Sequence, residues 1–407
     1  MSGTKPKADA TVWTGHRSFG SSHEHHNADR LQPSFPGHGW GAVRNGITRL
    51  DDTLSTPVFT EQAPGSLPGG GQRASGAGRS DGGAFGPTGG RDPDGTPRFD
   101  QAVTPGAYLW WYVDAISDDG RHALSIIAFV GSVFSPYYAW AFSRKGQAVD
   151  PENHCAINVA LYGAAGKRWS MTERSKARMH RDRHELRVGP SNLQWHNDHL
   201  SIDLDEVCAP LPYKIRGTVK LFPKALSNYV TRLDHDGRHR WGPIAPCSRV
   251  EVNLTYPAVS WKGEAYFDSN EGDEPITKPF TAWDWSRATM ADGSTAVIYD
   301  VRETDGSERV IAERFTPQGQ SVSFAVAPRR SALPRTLWQI NRAIRSDAGA
   351  DNRILETLED APFYARSLMQ TRLLGETVTA MHETLQPQRL SWLPVQLMLP
   401  WRMPRWD

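Results

Sequence analysis

Tyr108-Leu-Trp-Trp-Tyr-Val113 runs into Asp118-Asp-Gly120, and Ala123 to Phe129 returns from it. Two runs rich in aromatic and β-branched residues, joined by an aspartate–glycine turn, make a β-hairpin. Working outward, Ala156 to Tyr162, Ser201 to Val207, Lys214 to Leu221, Arg249 to Leu254, Ala296 to Val301 and Ser321 to Ala327 are further short strands. Ser201-Ile-Asp-Leu-Asp205 alternates apolar with polar, the period of a half-buried strand. Asp236-Gly, Asp292-Gly and Asp305-Gly supply more turns. Many short strands at this spacing predict a mainly β protein of antiparallel barrels or sandwiches, not a parallel α/β sheet.

The flanking segments read differently. Residues 1–95 are rich in Gly, Pro, Ser and His and poor in large apolar residues, so they predict a disordered tail. Ala123 to Phe142 carries no charge over a length that would span a bilayer. Its serines, Gly131 and Pro136 favour a buried strand followed by an aromatic loop at Pro136-Tyr-Tyr-Ala-Trp140. Ala361 to Thr371 reads as one short helix. Leu390 to Trp406 is apolar, aromatic and basic, which fits a final strand on the core or a membrane-surface patch.

Composition removes several function classes. With 46 basic and 45 acidic residues the net charge is +1, which offers no field for nucleic acid. Cys155, Cys208 and Cys247 are odd in number and widely spaced, so they predict neither a disulfide framework nor a metal site and favour a reducing cytoplasm. The first residues, Met-Ser-Gly-Thr-Lys-Pro-Lys, lack the apolar stretch of a signal peptide. His180 with His184, and His235 with His239, have a spacing that converges on a metal only along a helix, and both pairs fall in turn-like or strand-like sequence. No metal and no cofactor is expected.

The candidate chemistry lies in two neighbouring segments, Gly237-Arg-His-Arg-Trp-Gly-Pro-Ile-Ala-Pro246 and Ala265-Tyr-Phe-Asp-Ser-Asn-Glu-Gly-Asp-Glu-Pro275. His239 and Trp241 stand two residues apart, as do Tyr266 and Asp268, so on strands each pair shares a face. A carboxyl group among apolar residues has its pKa raised and can serve as an acid at neutral pH. Asp268 is therefore the candidate proton donor, and His239 the candidate base or water-positioning group. Trp241 and Tyr266 offer ring faces to a cation. Each has a plainer alternative: a turn aspartate, a surface histidine and two core aromatics.

The chain resembles a known family. Trp110-Trp-Tyr-Val-Asp-Ala-Ile-Ser-Asp-Asp-Gly120, Ile127-Ala-Phe-Val-Gly-Ser-Val-Phe-Ser-Pro-Tyr-Tyr138, Asn153-His-Cys-Ala-Ile-Asn-Val-Ala-Leu-Tyr162, Ala282-Trp-Asp-Trp-Ser-Arg287, Glu359-Asp-Ala-Pro-Phe-Tyr-Ala-Arg-Ser367 and Val395-Gln-Leu-Met-Leu-Pro400 are similar to the carotenoid 1,2-hydratases, also called hydroxyneurosporene synthases. The likeness runs from about residue 99 to the end. It implies a cofactor-independent hydro-lyase that adds water across the terminal C1–C2 double bond of neurosporene, lycopene and their relatives. It also implies two lipocalin-like β-barrel domains, 96–255 and 256–407, and catalytic positions at Asp268, His239, Trp241 and Tyr266. The expected partners are the carotenoid, water, a membrane surface and other enzymes of the pathway. The expected place is the cytoplasm, peripherally on the inner or photosynthetic membrane.

Two other functions suit the same residues. A non-catalytic lipocalin-like carrier needs the cavity but not Asp268. A carbohydrate-active β-protein would stack tryptophans on sugars and pair Asp268 with Asp284 or Glu271.

Overall fold

The computed structural model describes residues 89–164 and 166–407. The architecture is mainly β and antiparallel, as the alternation and turns imply. Among the described residues, thirteen strands form one sheet and seven a second, with a further two-stranded hairpin, Arg329–Leu333 with Arg342–Ser346. Tyr108–Ser117 lies in the middle of the large sheet, between His122–Val130 on one side and Val259–Gly272 on the other. Ile157 and Leu186 belong to strands far apart in the sheet order but share one apolar core. The large sheet therefore curls, and the odd-numbered residues Leu109, Trp111, Val113 and Ala115 point into that core.

The even-numbered residues Tyr108, Trp110 and Tyr112 point the other way, into a second core. There they meet Trp283, Trp285, Tyr299 and Met381 of the seven-stranded sheet, and Val395 and Leu399 of the C-terminal segment. The space between the two sheets is where the chemistry-bearing side chains gather. His239–Tyr256 and Val259–Gly272 form the longest hairpin, and both strands belong to the large sheet. The expected division at residues 255 and 256 falls at the end of this hairpin's first strand, whereas the second sheet begins at Phe280.

Three local expectations are corrected. Pro136–Lys145 is a helix and not a loop: the Ser135 hydroxyl accepts from the Tyr138 amide, and Pro136 occupies the first turn, where its missing N–H does no harm. Ala361 to Thr371 is not a helix, because Tyr364–Leu373 is a strand in the interior of the second sheet. Leu390 to Trp406 is mostly the helix Leu393–Arg402, and only Arg405–Trp406 adds a short parallel strand beside Arg168–Arg174. Among the described residues, no helix is long and apolar enough to cross a membrane. The three cysteines are free and buried.

Most of the expected tail lies outside the described residues, but Gly89 to Asp92 are buried. Arg91 is 2% exposed and bridges to Pro97. Its guanidinium donates to the carbonyls of Pro243 (2.6 Å), Ser227 (3.2 Å), Tyr229 (3.3 Å) and Gly242, and to the Ser269 hydroxyl (2.9 Å). Gly242 is required there, since a Cβ at this position would overlap the Tyr229 carbonyl and the Arg91 side chain.

Candidate active site

Pro243 and Pro246 interrupt a strand of eighteen residues, His239–Tyr256. Proline cannot donate to a ladder, so the pairing slips on either side of Ala245, a bulged stretch that bends the strand and re-aims its side chains. Pro243 stands opposite Asp268. On the other flank of the same strand, Asp268 stands opposite Tyr112 and Tyr266 opposite Asp114. The candidate acid is thus fixed from both sides by neighbouring strands.

The Trp241 indole N–H donates to Asp268 Oδ2 at 2.7 Å, and the Tyr266 hydroxyl donates to the same oxygen at 2.9 Å. Asp268 Oδ1 is buried and, among the described residues, makes no hydrogen bond. Burial pushes the carboxyl up to about 8; the two donated hydrogen bonds pull it down, while Asp114 and Glu383 raise it further. Two donors on Oδ2 leave Oδ1 to carry the proton. The site accordingly holds a protonated carboxyl at neutral pH with its acidic hydrogen on the unpartnered oxygen.

Asp268 lines a cavity of about 480 Å³ between the sheets. The walls are aromatic: Trp110, Tyr112, Trp283, Trp285 and Tyr299 are among them. Tyr112, Tyr266 and Trp285 pack mutually, with ring centres 5.5 Å apart for both tyrosine–tryptophan pairs. At one wall sits a polar cluster. Arg366, 1% exposed, donates to Glu383 at 2.8 Å and to the Tyr162 hydroxyl at 2.8 Å. Tyr112 donates to the same Glu383 oxygen at 2.7 Å, and Tyr162 to Glu359 at 2.9 Å.

The structure therefore brings Trp241, Tyr266 and Asp268 together, with Trp241 and Tyr266 behind the carboxyl and not on the cavity wall. It sets His239 apart. His239 pairs with Gly272, four residues along the strand from Asp268, and its Nδ1 lies 2.8 Å from the Tyr108 hydroxyl. A Cβ at position 272 would overlap both rings, so that glycine permits the contact. Tyr108 in turn stacks on Trp110, 4.9 Å between centres. Burial lowers His239 to about 4, with Asp234 opposing, so it is a neutral imidazole at physiological pH.

Asp284 and Glu271 face away from the cavity, one residue out of phase with Trp285 and Asn270. Asp284 pairs with Arg302 at 2.6 Å and accepts from Thr384 at 2.5 Å; Glu271 pairs with Arg240 at 2.5 Å. Neither can form a carboxylate pair with Asp268 across the cavity. Sequence spacing did not single out Tyr112, Arg366 or Glu383, which meet only because two sheets face each other. His180, Asp182 and Glu185 lie close together on an exposed edge, the one such grouping among the described residues, and far along the sheet from this cavity.

Residues 126–407 match the family described as carotenoid hydratase CrtC. The chain is also 58% identical over 379 residues to the acyclic carotenoid 1,2-hydratase of Rubrivivax gelatinosus, covering 93% of each chain. The chain belongs to the carotenoid hydratase family. A further member, the acyclic carotenoid 1,2-hydratase of Thiocapsa roseopersicina, is 50% identical over 395 residues, 97% of this chain and 96% of that one. A match of that length enters the first 95 residues, so the likeness extends beyond the expected start near residue 99. The fold alone is shared with a crystal structure of a protein described as AttH from Nitrosomonas europaea, at a TM-score of 0.51 and 15% identity over 69% of this chain and 92% of that one.

Proposed function

We propose that this carotenoid hydratase family member adds water across the terminal C1–C2 double bond of acyclic carotenoids such as neurosporene and lycopene. The observation that carries the mechanism is Asp268, a carboxyl raised to about 8 on the wall of an aromatic cavity. An isolated trisubstituted alkene has no electron-withdrawing group, so water cannot attack first and protonation must lead. Asp268 Oδ1 gives its proton to C2, the π electrons form the new C–H bond, and positive charge develops at the tertiary C1. Water bonds to C1 and loses a proton, leaving a tertiary alcohol.

Trp241 and Tyr266 act on the acid in this scheme. As the proton leaves, negative charge grows on Asp268, and two donors already aimed at Oδ2 stabilise it without reorganisation. Cation stabilisation passes to the rings that line the cavity, Trp285 and Tyr112 foremost. His239 becomes a positioning residue that holds Tyr108 against Trp110. The carrier alternative uses neither the raised carboxyl nor its two donors, and the relatives from Rubrivivax and Thiocapsa carry the name hydratase.

Incubation with lycopene in ¹⁸O-labelled water is expected to give a hydroxylated pigment carrying one label, read by mass spectrometry. Pigment recovered unchanged would favour the carrier.

Contact with a membrane is part of the proposal. A cavity of about 480 Å³ holds the reacting end of a tetraterpene and not its whole length, so the remainder stays in the lipid that dissolves it. Trp338, Met398 and Arg402 line the cavity, and around them Leu337, Trp392, Leu393, Leu397 and Trp401 are exposed, Trp401 by 79%. An exposed apolar patch with Arg389 and Arg402 at its border suits peripheral attachment to the cytoplasmic face of the pigment-bearing membrane. The Leu397→Asp, Trp401→Asp double variant is expected to lose most of its co-sedimentation with anionic liposomes. It should turn over detergent-dispersed lycopene normally. Undiminished co-sedimentation would remove this patch from the proposal.

A further inference from the structure

Hydration needs two proton transfers, and Asp268 accounts for one. The group that relieves the attacking water of its proton must stand on the same cavity. His239 does not. Asp268 lies on the large sheet opposite Tyr112, while Glu383 lies on the second sheet opposite Trp285. The rings of Tyr112 and Trp285 meet at 5.5 Å. Asp268 and Glu383 therefore sit on facing sheets on either side of an aromatic contact, and both line the cavity.

Glu383 is held by one oxygen only. Tyr112 and Arg366 both donate to Oε1, at 2.7 and 2.8 Å, and among the described residues Oε2 accepts no hydrogen bond. Burial disfavours the Arg366 cation, but Glu383 and the tyrosines around it hold its pKa well above the ordinary value, so it supplies a permanent counter-charge to the Glu383 carboxylate. Among the described residues, the same walls carry three buried polar groups without partners: Asp268 Oδ1, the Trp285 indole N–H and the Tyr364 hydroxyl. In an apolar cavity such groups mark where a polar molecule is bound, and a water needs two to four such partners.

We propose that Glu383 is the base that receives the proton from the water as its oxygen bonds to C1. This rests on the hydratase function proposed above. Asp268 Oδ1–H breaks and C2–H forms. The water oxygen then shares a lone pair with C1, and the O–H pair released by its deprotonation stays on the alcohol oxygen. Its proton goes to Glu383 Oε2. Glu383 ends neutral and Asp268 anionic, and a proton returns from the first to the second before the next turnover. No other reactant is required.

The test separates the two steps. In D₂O, an enzyme that protonates C2 but cannot complete water capture returns the alkene by losing a hydrogen from C2, and each return that expels the original hydrogen and not the added deuteron leaves deuterium in the recovered lycopene. Glu383→Gln is expected to lower hydration by at least about 10²-fold while deuterium exchange into recovered lycopene continues. Glu359→Gln alters the neighbouring carboxyl on the same wall and asks whether the shift belongs to that group instead. Because Arg366 would lose a buried partner, Glu383→Gln can fail to fold. Glu383→Asp keeps the charge and withdraws the oxygen, and the same shift towards exchange is expected from it. Equal loss of hydration and exchange, an unchanged ratio, or a shift produced by Glu359→Gln in place of Glu383 would each overturn the assignment. A wild-type enzyme that neither hydrates nor exchanges would instead overturn the hydratase function itself.

Discussion

Asp268→Asn is expected to lower hydration turnover by at least about 10²-fold, the low end for general-acid catalysis, and to abolish deuterium uptake at C2. The amide oxygen can still accept from Trp241 and Tyr266, so the geometry at Oδ2 survives while the acidic hydrogen on Oδ1 is lost. Wild-type turnover should hold below about pH 8 and fall above it as the carboxyl ionises. Stability gives an independent check. In the unfolded chain the carboxyl ionises near its ordinary value; in the folded protein burial keeps it protonated to about 8. Between those limits folding takes up a proton, so wild-type stability declines as pH rises through that window. Asparagine has no such term, and the melting temperature of the variant relative to wild type should climb from about pH 4 to about pH 8. Near-normal turnover by Asp268→Asn, with normal deuterium incorporation, would rule Asp268 out as the acid.

The two-residue spacings told the truth about faces and less about distance. Trp241, Tyr266 and Asp268 converge because adjacent strands place them on one face within one or two ladder positions. His239 shares that face, yet four residues of strand separate its partner Gly272 from Asp268, and period alone does not report position along a strand. The helix Pro136–Lys145 had a legible start in Ser135-Pro136, hidden by aromatic content that suits a loop equally well. Tyr364–Leu373 misled for a different reason. It lies inside the sheet and is buried on both faces, so alternation vanishes, and Arg366 sits among apolar residues because Glu383 and Tyr162 satisfy it across space. The polar wall of the cavity joins Tyr112 to Glu383 across most of the chain, and no local pattern encodes such a meeting.

Arg91→Ala should be among the most damaging substitutions outside the cavity, and it reverses an expectation drawn from composition. Residues 1–95 read as a disordered tail, since their glycine-rich composition supports no core. Arg91 is nevertheless buried, and burial lowers its pKa to about 10 against the opposing pull of Asp268. Its guanidinium ties the carbonyls of Gly242 and Pro243, at the start of the bulged stretch facing Asp268, to Ser227, Tyr229 and Ser269. Removing it leaves several buried acceptors unpaired at roughly 1–3 kcal/mol each, so a loss of at least about 3 kcal/mol is expected in denaturant unfolding. Arg91→Lys should recover little, because an ammonium cannot fork among separate carbonyls. A chain starting at Arg98 should behave like Arg91→Ala, whereas one starting just ahead of Gly89 retains these contacts. Function adds a second signature. Loss of the cation near Asp268 disfavours its anion, so the alkaline limb of the pH–rate profile should move upward in whatever fraction still folds. A chain beginning at Arg98 with wild-type stability and an unmoved alkaline limb would show that Arg91 neither supports the bulge nor acts on the acid beside it.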